Sequence, residues 1–434
     1  MTAVFDDYVP GHGDLTYDVT HYALEVDYKV DGNRLVGRAQ LNAVANADLQ
    51  EFSLDLHALR VTKLTVDGSA AKFSSRRDRV VVRPKFRIVA GQEFAIAVNY
   101  SGHPRPVDDK ALDSAGWEEL TDGVIVAAQP HGAPSWFPCN DRPSNKASYR
   151  IAVTTGSDYH AVANGTLVEH RRRASSTTWV YDQPEPMAPY LATVQIGRYE
   201  LWEIEASIPM FAAVPKRIAE DYDKAFGDQP RMVEFFTRLF GPYPFAGYTV
   251  VVTDDVLEIP LEAQGMSTFG SNHLTSDWGT VRLVAHELSH QWFGNSLTVG
   301  HWKDIWLHEG FACYAEWLWS QESGGMSTHD HAVYHRARLS ALGQDIILGD
   351  PGPELMFDDR IYKRGALLLH ALRLTLGDPS FFALLQVWAS AHAGGTVSTE
   401  MFTAFAEATT GVDLAELFDK WLNQPALPAL PPAP

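Results

Sequence analysis

The sequence contains very little cysteine. Its 434 residues include two cysteines, Cys139 and Cys313. Two thiols are too few for the disulfide framework of a small secreted protein. A cysteine outside such a framework commonly serves as a small buried apolar residue, and we predict that role for both. Reduced thiols are typical of a cytoplasmic protein, which is the location we expect.

The sequence also lacks a long apolar segment. No stretch approaches the roughly 20 apolar residues that a transmembrane helix requires. The N-terminus, MTAVFDDYVPGHGD, has neither the basic start nor the apolar run of a secretory signal peptide. We therefore expect a protein that does not associate with membranes.

Positive charge is in deficit. The chain has 35 Lys and Arg against 54 Asp and Glu, so its formal net charge is −19. Such a chain repels phosphates, and we expect no nucleic-acid partner. A hydrophobic fraction of 45% and a charged fraction of 21% are ordinary for a globular protein. The length predicts two or three domains.

The spacing of apolar residues changes once along the chain. Over the first 200 or so residues, segments such as HYALEVDYKV and RLVGRAQLNAV alternate apolar with polar positions and are separated by turn signals. This pattern predicts strands of a sandwich or curved sheet. Further on, the apolar residues recur at helical intervals around one short strand, YTVVVT.

These patterns predict an α+β chain with three parts. We place a β-rich domain at 1–205, a mostly helical domain at 206–424 and a Pro-rich, non-helical tail at 425–434. The predicted helices of the second domain beyond Thr280 are 280–294, 307–322, 327–345, 361–376, 379–391 and 413–422.

The stretch AHELSHQWFGN, at 285–295, carries the most chemical information. His286 and His290 are four residues apart on a predicted helix, so both side chains point the same way and can share one metal ion. Glu287 lies about 100° around that helix, near the ion without binding it. Glu309, which follows His290 after eighteen intervening residues on a second predicted helix, can complete a His₂Glu zinc set. The alternative is a helix with two surface histidines.

The surrounding residues resemble the aminopeptidase N family, which belongs to the gluzincins. HELSHQWFGN followed by WKDIWLHEGFACYAEW is similar to that family's zinc signature. SWFPCNDRPSNKASYRI resembles its FPCxDxP segment, and IYKRGALLLHALRLTLG resembles its catalytic-tyrosine helix. The resemblance covers nearly the whole chain. It implies an N-terminal β-sandwich or saddle domain followed by a thermolysin-like zinc metallopeptidase domain.

The resemblance also implies roles for individual residues. His286, His290 and Glu309 would hold one Zn²⁺ per chain. Glu287 would be the general base towards a zinc-bound water, and Tyr362 would stabilise the oxyanion. We further expect Glu316, two turns after Glu309, to orient a zinc-bound histidine from outside the ligand set; a solvated helix charge is the alternative.

The segment EIPLEAQGMSTFG, at 258–270, departs from the family's GxMEN motif. The resemblance places Glu262 on the glutamate that binds the substrate's α-amine, with Gln129 as a second, uncharged contact. Ile259 replaces the family glycine and Ala263 the family asparagine, so the setting of Glu262 is altered. Arg364 stands where the family usually has lysine after its tyrosine.

The leading hypothesis is therefore a zinc aminopeptidase acting on peptides with a free N-terminus. An epoxide hydrolase, a thermolysin-like endopeptidase and a catalytically silent peptide-binding relative remain alternatives. The resemblance ends near FDKWLNQPALPAL, where larger members continue into a helical domain that we expect this chain to lack. The preferred N-terminal residue and the oligomeric state cannot be derived from these residues.

Overall fold

The computed structural model describes residues 5–76 and 78–432. Strands make up most of the first half of this described chain. They are β1 (Tyr17–Lys29), β2 (Arg34–Ala45), β3 (Phe52–Asp55), β4 (Leu59–Val66), β5 (Ser69–Ala70), β6 (Lys72–Arg76), β7 (Arg79–Arg83), β8 (Glu93–Gly102), β9 (Val107–Asp109), β10 (Asp113–Leu120), β11 (Gly123–Ala127), β12 (Ala147–Gly156), β13 (His160–Ala163), β14 (Thr166–Arg172), β15 (Ser176–Met187) and β16 (Val194–Gly197).

These strands form three sheets. The largest has the order β14-β15-β12-β1-β2-β8-β4-β5, the second β13-β16-β11-β10-β9 and the third β3-β7-β6. In β1, Tyr22, Leu24 and Val26 are buried, whereas the residues between them are exposed or half-buried. A side-chain period of two places one face of the sheet against the core. The predicted β-rich first domain is confirmed.

A further sheet lies among the helices of the second half. Its strands are β17 (Tyr199–Ile204), β18 (Met210–Pro215), β19 (Tyr248–Val252), β20 (Leu261–Ala263) and β21 (Met266–Phe269), in the order β17-β18-β19-β21-β20. A small parallel pair is formed by β22 (Thr298–Val299) and β23 (Thr396–Val397). Because β17 pairs with β18, hydrogen bonds cross residue 205. The boundary at 205 stays a prediction, and a boundary before Tyr199 would leave this sheet undivided.

Helices dominate the rest of the chain, as predicted. They are α1 (Tyr222–Phe226), α2 (Gln229–Phe240), α3 (Trp278–Ser289), α4 (Trp306–Glu322), α5 (Thr328–Ser340), α6 (Asp359–Leu376), α7 (Asp378–Ala391), α8 (Thr399–Thr410) and α9 (Ala415–Phe418), the last continued by a π-helical turn at Asp419–Asn423.

Two predicted helices are shorter in the structure. α3 ends at Ser289 rather than at 294, because the chain folds into a tight turn in which Asn295 N donates to the carbonyl of His290 at 2.9 Å. α5 ends at Ser340 rather than at 345. There the side-chain amide of Gln344 donates to the carbonyls of Leu339 and Leu342. In a longer helix these carbonyls would accept backbone N–H groups instead.

Helix α8 was not predicted. The Ser398 hydroxyl caps its start by accepting from Met401 N at 3.2 Å, and Gly411, with φ +68°, ends it. Phe402 is fully buried on its inner face against aromatic rings of α4 and α7. The capping serine and terminal glycine were visible signals for this helix.

Both cysteines are buried free thiols, in agreement with the predicted packing role. Among the described residues, no helix combines the length and apolar character that crossing a bilayer demands. The described part of the tail is not helical. It is anchored by Arg364, whose guanidinium donates to the carbonyls of Trp421 at 3.0 Å and Pro425 at 2.7 Å.

Candidate active site

Helices α3 and α4 pack side by side and carry the three predicted metal ligands. His286 lies in the last turn of α3, His290 follows at its C-terminal end, and Glu309 lies in the first turn of α4. Four-residue spacing places the two imidazoles on one helix face. All three side chains are buried.

The ligand atoms of these residues converge. Glu309 Oε2 lies 3.2 Å from Nε2 of His286 and 3.5 Å from Nε2 of His290. Two ligands about 2.0–2.1 Å from a tetrahedral zinc are about 3.3 Å from each other. The spacing of the set therefore fits zinc, and two imidazoles with one carboxylate are the ligands of open catalytic zinc sites.

The outer nitrogens of both histidines have other partners. His286 Nδ1 lies 2.8 Å from Glu316 Oε1, and His290 Nδ1 lies 3.0 Å from the carbonyl oxygen of Phe293. With each Nδ1–H donating outward, each Nε2 faces Glu309 and is the nitrogen that would bind a metal ion. The structure thus brings Glu316 within hydrogen-bond distance of His286, and the Phe293 carbonyl is the corresponding partner of His290.

Glu316 is itself held by a cation. Arg282 Nη1 lies 3.3 Å from both of its carboxylate oxygens. Burial alone would raise the pKa of Glu316, but Lys363, His286 and Arg282 together lower it to about 2. The carboxylate is therefore ionised at neutral pH. The sequence prediction omitted Arg282, although its position four residues before His286 on the same helix face was a usable signal.

The ligand set carries strong opposing charges. Burial lowers the pKa values of His286 and His290, but the carboxylates around them outweigh it and raise the two values to about 10 and about 9. Burial would raise the pKa of Glu309, yet the two histidines hold it well below its usual range. Glu309 is thus an ionised carboxylate suited to a divalent cation.

A second pair of carboxylates borders the ligands. Glu262 and Glu287 each offer an oxygen that lies with a His290 nitrogen in a group of atoms within 4.8 Å of one another. Burial raises the pKa of Glu287 to about 8 and also raises that of Glu262. Among the described residues, Glu287 Oε2 is buried without a hydrogen-bond partner. A buried, unpartnered carboxylate oxygen beside a metal site suits a base that acts on water.

Tyr362 reaches the site because α4 and α6 cross at close range. A Cβ atom added to Gly310 would lie 2.8 Å from the Cα of Gly365, so only glycine permits this crossing. The Tyr362 ring stacks on His286 with centroids 6.0 Å apart. Burial and the surrounding carboxylates raise the pKa of Tyr362 well above its usual range, so the phenol keeps its proton.

Gln129 is less closely integrated. It lies two residues beyond β11, and no hydrogen bond joins its side chain to the other site residues within the described chain. Its Nε2 atom is buried and has no partner among the described residues. The structure therefore brings Glu262 to the ligand set and leaves Gln129 as a predicted contact.

Two domain families match the chain, and both belong to one peptidase family. Residues 18–191 match the Peptidase M1 N-terminal domain, and residues 224–421 match the Peptidase family M1 domain. The chain belongs to peptidase family M1. The matched ranges contain every predicted metal ligand and the base Glu287, and the predicted family is confirmed.

Solved M1 structures resemble the chain over its full length. The M1 zinc metallopeptidase from Deinococcus radiodurans is 28% identical, with a TM-score of 0.91 over 99% of each chain. A mutant of that enzyme bound to a Tyr-Ser-Ala substrate is equally similar, with a TM-score of 0.91 over 98% of this chain.

Curated relatives are more distant and longer. A leucyl aminopeptidase from Saccharolobus solfataricus is 24% identical over 94% of this chain and 54% of its own length. An aminopeptidase N from Lactococcus lactis subsp. lactis is 26% identical over 69% of this chain and 38% of its own length. The chain spans about half the length, or less, of these curated relatives.

Proposed function

We propose that this M1 protein is a zinc aminopeptidase that removes the N-terminal residue of peptides. The observation that carries the proposal is the position of Glu262, whose carboxylate lies beside Glu287 and the metal ligand His290. A half-buried carboxylate at that place is a partner for the substrate's α-ammonium group, which an internal peptide bond lacks. The leucyl aminopeptidase among the relatives and the Tyr-Ser-Ala complex of the Deinococcus enzyme support a peptide substrate.

In this proposal His286, His290 and Glu309 hold one zinc ion per chain. Zinc bound there supplies Lewis-acid chemistry, lowering the pKa of water and polarising the scissile carbonyl. Glu316 and the Phe293 carbonyl keep the two imidazoles in the orientation that offers Nε2 inward.

Glu287 is the proposed general base. Its Oε2 atom, which is buried without a hydrogen-bond partner among the described residues, can accept a proton from the attacking water, and the carboxyl group can then pass that proton to the leaving amine. Tyr362 keeps its phenolic proton, and the proposal assigns it as the hydrogen-bond donor to the oxyanion that develops on the scissile carbonyl.

Glu262 and Gln129 are the proposed contacts of the α-ammonium group. When this ammonium is bound, it forms a charge-assisted hydrogen bond with the carboxylate of Glu262, which is half-buried in the free protein. The side-chain amide oxygen of Gln129 can contribute a neutral acceptor. A bound substrate with a blocked N-terminus would cover the Glu262 carboxylate without supplying a counter-charge, so the site selects free N-termini.

The experiment that tests the proposal compares two fluorogenic substrates, an aminoacyl amide and its N-acetylated form, with and without a chelator. We expect the free amine form to be cleaved, the acetylated form to be refused, and the chelator to abolish cleavage. Equal cleavage of both forms would make the protein an endopeptidase. An epoxide hydrolase or a silent binding protein would cleave neither amide.

A further inference from the structure

The strand that carries Glu262 is short and lies at a sheet edge. β20 has three residues and pairs on one side with β21, where Glu262 is opposite Ser267. An edge strand leaves the backbone groups of its other side without a strand partner. Ala263 has no polar side-chain atom that could anchor the strand. The position of Glu262 therefore depends on contacts beyond the sheet.

Two side-chain amides make these contacts. The Ala263 carbonyl accepts hydrogen bonds from Asn295 Nδ2 at 2.9 Å and from Gln291 Nε2 at 3.1 Å. Gln291 Oε1 in turn accepts from Gly265 N at 2.8 Å. We call Gln291 and Asn295 the amide clasp. Both residues are fully buried, so loss of a partner cannot be replaced easily by solvent.

The amide clasp is directly connected to the metal ligand His290. Gln291 follows the ligand His290 in the chain, and Asn295 N donates to the His290 carbonyl at 2.9 Å. The far side of the same turn is held by Lys146, whose ammonium donates to the carbonyls of Asn295 at 3.0 Å and Ser296 at 2.8 Å. A short path of covalent and hydrogen bonds therefore connects His290 with the backbone next to Glu262.

We infer that Gln291 and Asn295 are positioning residues that set the separation between the Glu262 carboxylate and the metal ligands. The inference rests on the proposed function, in which Glu262 binds the α-ammonium group. The distance between Glu262 and the metal ligands then selects the peptide bond that is cleaved. With the α-ammonium group bound to Glu262, only the carbonyl of the first residue reaches the metal. Loosening the clasp displaces Glu262 while His286, His290 and Glu309 stay in place, so substrate binding suffers more than the chemical step.

The test measures KM, kcat and zinc content for Gln291→Met and Asn295→Ala on one aminoacyl amide. We expect full zinc content, a KM raised by about tenfold and a kcat within a few-fold of wild type. In a Glu262→Ala background the same substitutions should change KM less than about twofold, because the residue they position is absent. Gln291→Glu keeps the size and the acceptor for Gly265 N but turns an oxygen towards the Ala263 carbonyl, and should also raise KM.

A matched control separates positioning from general destabilisation. Asn140 is an equally buried amide whose Nδ2 donates to the carbonyls of Asp14 and Tyr17, both at 3.0 Å, in the first domain. Asn140→Ala should lower thermal stability as Asn295→Ala does and leave KM unchanged.

Two results overturn the inference. One is a wild-type KM in Gln291→Met, Gln291→Glu and Asn295→Ala with full zinc; the other is an undiminished effect of these changes in the Glu262→Ala background. Failure of the proposed function looks different. There, Glu262→Ala by itself would leave KM and the refusal of acetylated substrate unchanged, and the clasp inference would fall with it.

Discussion

Glu316 Oε1 lies 2.8 Å from Nδ1 of His286, so α4 supplies both a metal ligand, Glu309, and the partner that orients a ligand on α3. The two glutamates are seven residues apart, two helical turns, which places them on one face of α4. The same helix thus supplies a ligand and also fixes the orientation of another ligand. This arrangement predicts that zinc affinity depends on a residue that does not touch the metal.

Replacing Glu316 should weaken zinc binding. Partners of this kind commonly contribute 10- to 100-fold to metal affinity, so we expect Glu316→Ala to raise the zinc dissociation constant by about that factor. Competition with a chromophoric chelator measures the change. Arg282→Met, which removes the cation at 3.3 Å but leaves the carboxylate, should cost clearly less. Equal affinities for wild type and Glu316→Ala would show that His286 does not depend on this partner.

Removing a ligand should have a different effect from removing the base. We expect His286→Ala and Glu309→Ala to lose zinc, because two remaining ligands do not make a site of useful affinity. Glu287→Gln should keep zinc and lose nearly all turnover, since the amide cannot accept a proton. Metal analysis of purified variants, together with their rates, distinguishes the two classes. Full zinc in both ligand variants would refute the assigned site.

Tyr362 should matter in the transition state. Tyr362→Phe removes the hydroxyl and keeps the ring that stacks on His286. Loss of one oxyanion donor commonly lowers kcat by about 10²–10³ with little change in KM, and we expect this pattern here. Steady-state kinetics on one aminoacyl amide provide the test. A variant within a few-fold of wild type would exclude Tyr362 from the mechanism.

The two proposed contacts of the α-ammonium group should contribute unequally to substrate binding. Glu262 offers a carboxylate, so Glu262→Ala should raise KM sharply and lower kcat/KM by about 10²-fold, as loss of a hydrogen bond to a charged group implies. Gln129→Ala removes an uncharged group and should cost clearly less. Kinetics of both variants on the same free and acetylated substrates check the order. A larger loss for Gln129→Ala would reverse the two assignments.

Helical spacing suggested the metal ligands, and the resemblance of the surrounding residues to the aminopeptidase N family supported them. The separation of His286 and His290 by four residues places both on one helix face. On the second helix, the seven-residue separation of Glu309 and Glu316 likewise places these two on one face. These are local relationships within single helices. Contacts of this kind can be predicted because the helix geometry relates sequence separation directly to position.

Relationships between elements distant in sequence could not be predicted in the same way. The hydrogen bond from Gln291 to Ala263 joins residues 28 apart in the chain, and it depends on the register of a three-residue edge strand. The end of α3 at Ser289 was also missed, because the turn that follows is stabilised by Lys146 from the first domain. Tertiary contacts of this type override the local pattern.

Lys146 connects the two domains through a buried charge. Its ammonium donates to Asn295, Ser296 and, at 3.3 Å, Gly395, and burial lowers its pKa from the ordinary value of 10.5 to about 7. Below pH 7 the folded and unfolded chains both carry the proton, and burying the charge costs stability. Between about pH 7 and 10.5 only the unfolded chain carries it, so folding releases a proton and stability rises with pH.

Replacing Lys146 should therefore change how stability depends on pH. A full proton released on folding corresponds to about 1.4 kcal/mol per pH unit, and Lys146→Met removes this contribution. Relative to Lys146→Met, the wild type should gain thermal stability when the pH rises from 7 to 9. Unfolding midpoints of both proteins at the two pH values provide the measurement, with the exposed Lys63→Met as the control for general loss of charge. A constant difference between wild type and Lys146→Met across this range would mean that Lys146 keeps its proton in the folded protein, held by the three carbonyl oxygens around it.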